Sequence, residues 1–121
     1  MNTNNTDTPT NMKTTDFSEL SHAAQCLDIY LHNTAEIYER YTTVLIGKAE
    51  NYTEIGASDD ELRILIKWDP LITGAIQTAA RLVRKHDHLT PPAKDMEAVT
   101  RNYAAYIVET AQDNIKYNLN S

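Results

Sequence analysis

The sequence predicts an all-α protein, an antiparallel bundle of three to four helices with a long first helix and a disordered N-terminal tail. Three observations carry this. From residue 16 onward, apolar and small side chains recur at steps of three and four, the period of a helix face. No run bounded by turn residues alternates in the manner of a strand, apart from residues 63 to 68, which can be misread as one. The residues that break helices fall between the periodic stretches, at Gly56, Pro70, Pro91 and Pro92.

Residues 1–15, MNTNNTDTPTNMKTT, include ten Asn and Thr, and Met12 is the only large apolar side chain after the initiator. Such a stretch buries too little apolar area to offset the entropy of ordering it. The disordered tail is therefore assigned to residues 1–15 and the bundle domain to residues 16–121. Asp16, followed three residues later by Glu19, has the spacing of a capping box, so the first helix is predicted to begin there. Its stripe runs through Leu20, Ala24, Leu27, Leu31, Thr34, Tyr38, Tyr41, Leu45, Lys48 and Tyr52, broken only at Thr34 and Lys48. Ile55 and Gly56 make its C-terminal cap, and Gly47 marks a candidate kink.

Ser58 with Glu61 is a second capping box, opening a short helix through Leu62, Leu65, Ile66 and Trp68. Asp69 and Pro70 end that helix and start the next, because aspartate caps well and proline is tolerated at the first helical position. Ile72, Ile76, Ala79 and Val83 form the stripe of this third helix. Thr90, Pro91 and Pro92 separate it from the last helix, which carries Met96, Val99, Tyr103, Ile107 and Tyr117, and residues 118 to 121 should fray. Connections this short favour antiparallel neighbours: helix one up, helices two and three down, helix four up.

Composition narrows the function. A chain of 121 residues supports one domain. The net charge of -6, with a pI near 5.1, argues against gripping nucleic acid or anionic lipid over a broad face and favours a basic protein partner. One cysteine, Cys26, makes no internal disulfide, and no start resembling a secretion signal is present, so the expected location is cytoplasmic. No apolar run approaches the roughly 20 residues of a membrane span. The three glycines, at 47, 56 and 74, cannot form a phosphate-cradling loop, and Ser18, Ser21 and Ser58 sit near helix starts without a nucleophile elbow. The expectation is a non-enzymatic protein without a cofactor.

Two constellations have metal-ligand chemistry. Glu19, His22 and Cys26 lie at i, i+3 and i+7, and the loop with His86 and His88 returns to the same end of the proposed bundle. Asp28, His32 and Glu36 repeat at intervals of four on one face. Neither has the Cys-x-x-Cys or His-Glu-x-x-His spacing of a strong metal motif, so no metal site is assigned and a metal-binding bundle stands as the alternative function.

Charge is more informative. Residues 16 to 55 hold seven acids against two bases, a net of -5, whereas residues 56 to 90 balance five against five. At about 100° per residue, Asp28, Glu36, Glu39, Glu50 and Glu54 form a ridge opposite the apolar stripe. The ridge is either the solvated back of an amphipathic helix or a surface that meets a basic partner. Arg81, Arg84 and Lys85 form a small counter-patch, too small for a nucleic-acid footprint and equally suited to compensating the helix dipole. Seven tyrosines stand against one Phe and one Trp, and a seam of Tyr38, Tyr41 and Tyr52 suits a half-wet surface better than a dry core, so it is either packing against the bundle core or a protein interface. A straight first helix of about 58 Å at 1.5 Å per residue would outrun its partners, which allows a homodimer through that helix. The function expected is a small acidic interaction protein, of the stoichiometric inhibitor or immunity and anti-defence type, that binds a basic surface of another protein. A structural subunit of a larger assembly is a third class.

Overall fold

The computed structural model describes residues 13–119, and every regular element among them is helical. In chain order these are a 3-10 turn at Phe17–Glu19, α1 at His22–Asn33, α2 at Ala35–Ile37, a π-turn at Tyr38–Thr42, α3 at Thr43–Glu54, α4 at Asp59–Lys67, α5 at Pro70–Asp87 and α6 at Ala93–Leu119. No helix among the described residues is long and apolar enough to cross a membrane. Of the stretch read as a tail, residues 1–12 lie outside the described residues. Residues 13 to 15 are tied to α6: Asn102 Nδ2 donates to the Thr15 carbonyl at 2.7 Å, the Thr15 amide donates to Asn102 Oδ1 at 2.9 Å, and Arg101 Nε donates to the Lys13 carbonyl at 3.1 Å.

The first helix differs most from its expectation. Asp16 caps only the 3-10 turn and makes no side-chain cap bond; α1 starts six residues later, where Ser21 Oγ accepts from the Ala24 amide at 3.1 Å. The long first helix is interrupted at Thr34, whose backbone is extended (φ -101°, ψ 118°), and the chain then widens into the π-turn. Gly47 lies inside α3 with no interruption, so the break falls at the polar gap in the stripe and not at the glycine. An extended residue followed by a wider turn rotates the buried face. Ala24, Leu27 and Leu31 are buried before the break, whereas Ile37, Thr42, Leu45 and Ala49 are buried after it. Tyr38, expected in the stripe, is instead half exposed.

The other junctions follow the local chemistry read from the residues. Ser58 and Glu61 exchange both capping-box bonds. Asp69 Oδ1 accepts from the Leu71 amide at 2.9 Å with Pro70 in the first turn of α5. Gly56 takes a φ of 99°, which suits a residue without a Cβ. Helix α6 packs against α1, α3, α4 and α5 and supplies Val99, Tyr103, Ile107 and Val108 to one core with Leu27, Leu31, Leu62, Ile66, Ile72 and Val83. Each such aliphatic side chain contributes about 1.5–3 kcal/mol on full burial. Tyr117, placed in the α6 stripe by spacing, lies beyond this core and is exposed.

Candidate interaction surfaces

Where α3 ends and α4 begins, carboxylates from three helices come together. Glu50 and Glu54 belong to α3, Asp59, Asp60 and Glu61 to the first turn of α4, and Glu109 and Asp113 to α6. Contacts between helices fix the arrangement. Glu50 Oε2 accepts from Asn114 Nδ2 at 3.0 Å, and Asp59 Oδ1 accepts from Gln112 Nε2 at 2.9 Å. Arg63 lies 3.3 Å from Asp59 and 3.8 Å from Glu109. The Ser58 amide and hydroxyl hold the Glu61 carboxyl below its ordinary range, so it stays charged. Within residues 50–63 and 109–117 seven acids stand against two bases, Arg63 and Lys116, so the end is strongly acidic. Two large apolar side chains stand out from it: Ile55, 82% exposed, and Tyr117, 67% exposed. Ile55 follows Glu54 directly, and Tyr117 is one turn beyond the Asn114 that holds Glu50.

The structure divides the expected ridge. Asp28 sits on α1, 3.6 Å from His32; Glu36, beyond the break, pairs with Arg40 at 3.0 Å; Glu39 is exposed on the π-turn; Glu50 and Glu54 join the acidic end. The tyrosine seam is also dispersed. Tyr38 faces solvent, Tyr52 is half buried against the core, and Tyr41 lies against α5, where a Cβ built on Gly74 would come within 2.8 Å of its Cε1.

The histidines and Cys26 are only partly gathered. Cys26 Sγ lies 3.9 Å from His22 Nε2, and the His86 ring lies 6.2 Å from that of Tyr30. Burial, then the charge of Asp87, pushes the Cys26 thiol above its ordinary value. Glu19 belongs to the 3-10 turn and His88 is the left-handed cap of α5, while Glu36 pairs with Arg40 and leaves Asp28 and His32 as a couple. Among the described residues no three His, Cys, Asp or Glu side chains are placed to hold a metal ion.

A groove that sequence spacing did not single out runs between α5 and the start of α6. Its main section is about 400 Å³ and is walled by Trp68, Ile72, Ile76 and Met96. Trp68 is 76% exposed, and the Lys67 ammonium lies 5.2 Å from its ring centroid. A helical wheel carries the missing signal. Taking Leu62 and Ile66 as the buried face of α4, Trp68 falls on the opposite side at about 100° per residue.

No protein family matches this chain, and neither a curated protein nor a solved structure is similar to it.

Proposed function

We propose that this is a non-enzymatic interaction protein that binds a basic surface of another protein through its acidic end. The observation that carries the reading is that contacts among α3, α4 and α6 bring Glu50, Asp59 and Glu109 to one end, with Glu54, Asp60, Glu61 and Asp113 close to them in sequence and Ile55 and Tyr117 exposed on the same segments. Carboxylates on a rim steer a basic partner and set its choice, while an aliphatic and a tyrosine side chain supply the contact area that holds it. Helices α3, α4 and α6 pack against one another, so the acids of this end are carried on helical backbone. A small, acidic, stoichiometric inhibitor fits this form of binding. The association is tested with two sets of substitutions. Glu54→Gln, Asp60→Asn, Glu109→Gln and Asp113→Asn together should slow association about tenfold at low salt and remove most of its salt dependence. Glu36→Gln with Glu39→Gln, elsewhere on the surface, should leave the rate unchanged. Equal slowing by the two sets would show that net charge alone acts and would sink the reading.

A further inference from the structure

The groove at the start of α6 changes character along its length. Beyond its apolar section it continues into a second section of about 320 Å³ that carries Arg81 and Arg84; Gln77 and Met96 line both sections and join them. Among the described residues five basic side chains pair with carboxylates, three of them near this groove: Lys67 with Glu97, Arg101 with Glu97 at 3.1 Å, Lys48 with Asp69 at 2.8 Å. Arg81 and Arg84 have no carboxylate partner among the described residues, and Arg81 makes only a 3.4 Å contact to Thr78 Oγ1. Compensation of the helix dipole accounts for Arg84, in the last turn of α5, but not for Arg81, because that effect fades within one turn. The apolar section is equally prepared. Trp68 caps α4, the adjacent Asp69 is held by Lys48 and the Leu71 amide, and Lys67 sits over the indole. An indole this exposed offers a partner a large contact area.

We infer that this groove binds an extended acidic peptide segment of another protein, with a bulky apolar side chain against Trp68, Ile72, Ile76 and Met96 and carboxylates on Arg81 and Arg84. The spacing follows from α5. At 1.5 Å per residue, the midpoint of the two arginines lies about 13 Å along the axis from the midpoint of Ile72 and Ile76. An extended chain covers that distance in about four residues. An extended segment spans the two sections with fewer residues than a helix, about four against about nine. The site is opposite in charge to the acidic end. Glu97 in the groove and Glu109 at the acidic end are separated by about 18 Å along α6. The two surfaces therefore take different partners.

Trp68 is the only tryptophan in the chain, so its emission reports on the groove directly. The probes are the N-acetylated, C-amidated hexapeptides Phe-Ser-Gly-Ser-Glu-Glu and Leu-Ser-Gly-Ser-Glu-Glu, with controls carrying Lys-Lys for Glu-Glu or Ser for the first residue. A saturable change in Trp68 emission is expected with the acidic peptides, at least about fivefold weaker with either control. Arg81→Gln with Arg84→Gln should weaken binding about fivefold, the worth of two exposed ion pairs, without altering the melting temperature. Glu54→Gln with Asp60→Asn should leave peptide binding unchanged, which separates this result from that at the acidic end. The inference is overturned if neither acidic peptide gives a saturable change up to millimolar concentration, or if the lysine control binds as well. It is equally overturned if emission changes with protein concentration alone and sedimentation shows a dimer, because a second copy then fills the groove.

Discussion

Replacing Thr42 with valine should cost more stability than removing the hydroxyl it meets. Thr42 Oγ1 and Tyr103 Oη are 2.8 Å apart, both residues are buried, and the bond joins the π-turn to the middle of α6. Thr42→Val keeps the side-chain shape but strands the tyrosine hydroxyl in the core, at a cost of about 2 kcal/mol. Tyr103→Phe leaves only the threonine hydroxyl, which can turn to a backbone carbonyl one turn earlier, so the expected cost is about 1 kcal/mol. The double variant has no orphaned group and should be less destabilised than Thr42→Val alone. At about 4 °C per kcal/mol for a domain of this size, the melting temperature should fall by about 8 °C for Thr42→Val and about 4 °C for the other two. High pH gives an independent readout. Burial pushes Tyr103 from the ordinary value of 10 up to about 12, with the Thr42 bond opposing and Tyr106 assisting. The folded state holds this proton more tightly than the unfolded state. Its contribution is therefore complete below pH 10 and is lost as pH rises toward 12, by roughly 2–3 kcal/mol. Urea unfolding followed by circular dichroism from pH 7 to 11.5 measures both effects. The reasoning fails if Thr42→Val unfolds like the wild type, if the double variant is the least stable of the three, or if Tyr103→Phe shows the same alkaline loss.

Gly47→Ala should stabilise the domain by about 0.5–1 kcal/mol, because nothing beyond its own stretch of helix lies within 4 Å of the added Cβ and alanine is the better helix former; a lowered thermal midpoint would contradict this. Gly74→Ala offers the same propensity gain but drives a Cβ into the Tyr41 ring, so thermal melts should place it well below Gly47→Ala. Burial raises the Asp69 carboxyl, but the Lys48 hydrogen bond and the Leu71 amide more than offset this and hold it below its ordinary 3.8. Its contribution is present above that value and is lost as pH falls through the lower folded value. Asp69→Asn should flatten this part of the acid-unfolding curve. Asp69→Ala, which also loses the cap, should cost about 1 kcal/mol more at pH 7, as judged by urea midpoints.

The junctions of this fold were legible because each is written in a few adjacent residues. Ser58 with Glu61, Asp69 with Pro70, and Gly56 act through local backbone chemistry, and the structure places them where that chemistry requires. The break at Thr34 was concealed because Thr34, Tyr38 and Tyr41 continue the three-and-four spacing, so periodicity read straight through it. The polar residue in an apolar stripe was the one local sign. Asp16 and Glu19 had capping-box spacing, but Ser21 lies beside the residues that turn inward and won the competition. The acidic end was half visible: Glu50 and Glu54 were read on one helix, whereas Asp59, Glu109 and Asp113 reach it only through tertiary packing. Trp68 is legible once Leu62 and Ile66 define the buried face of its helix, whereas three-and-four spacing alone does not set it apart.

The account is tested most directly by affinity capture from the cells that make this protein, with the wild type beside the variant carrying Glu54→Gln, Asp60→Asn, Glu109→Gln and Asp113→Asn, followed by association kinetics with the purified partner at several salt concentrations. The account predicts a partner with a basic surface, retained in one-to-one ratio by the wild type, lost or much reduced with the variant, and associating more slowly as salt rises toward a Debye length of about 8 Å. A partner bound by both proteins at the same salt-independent rate would contradict it.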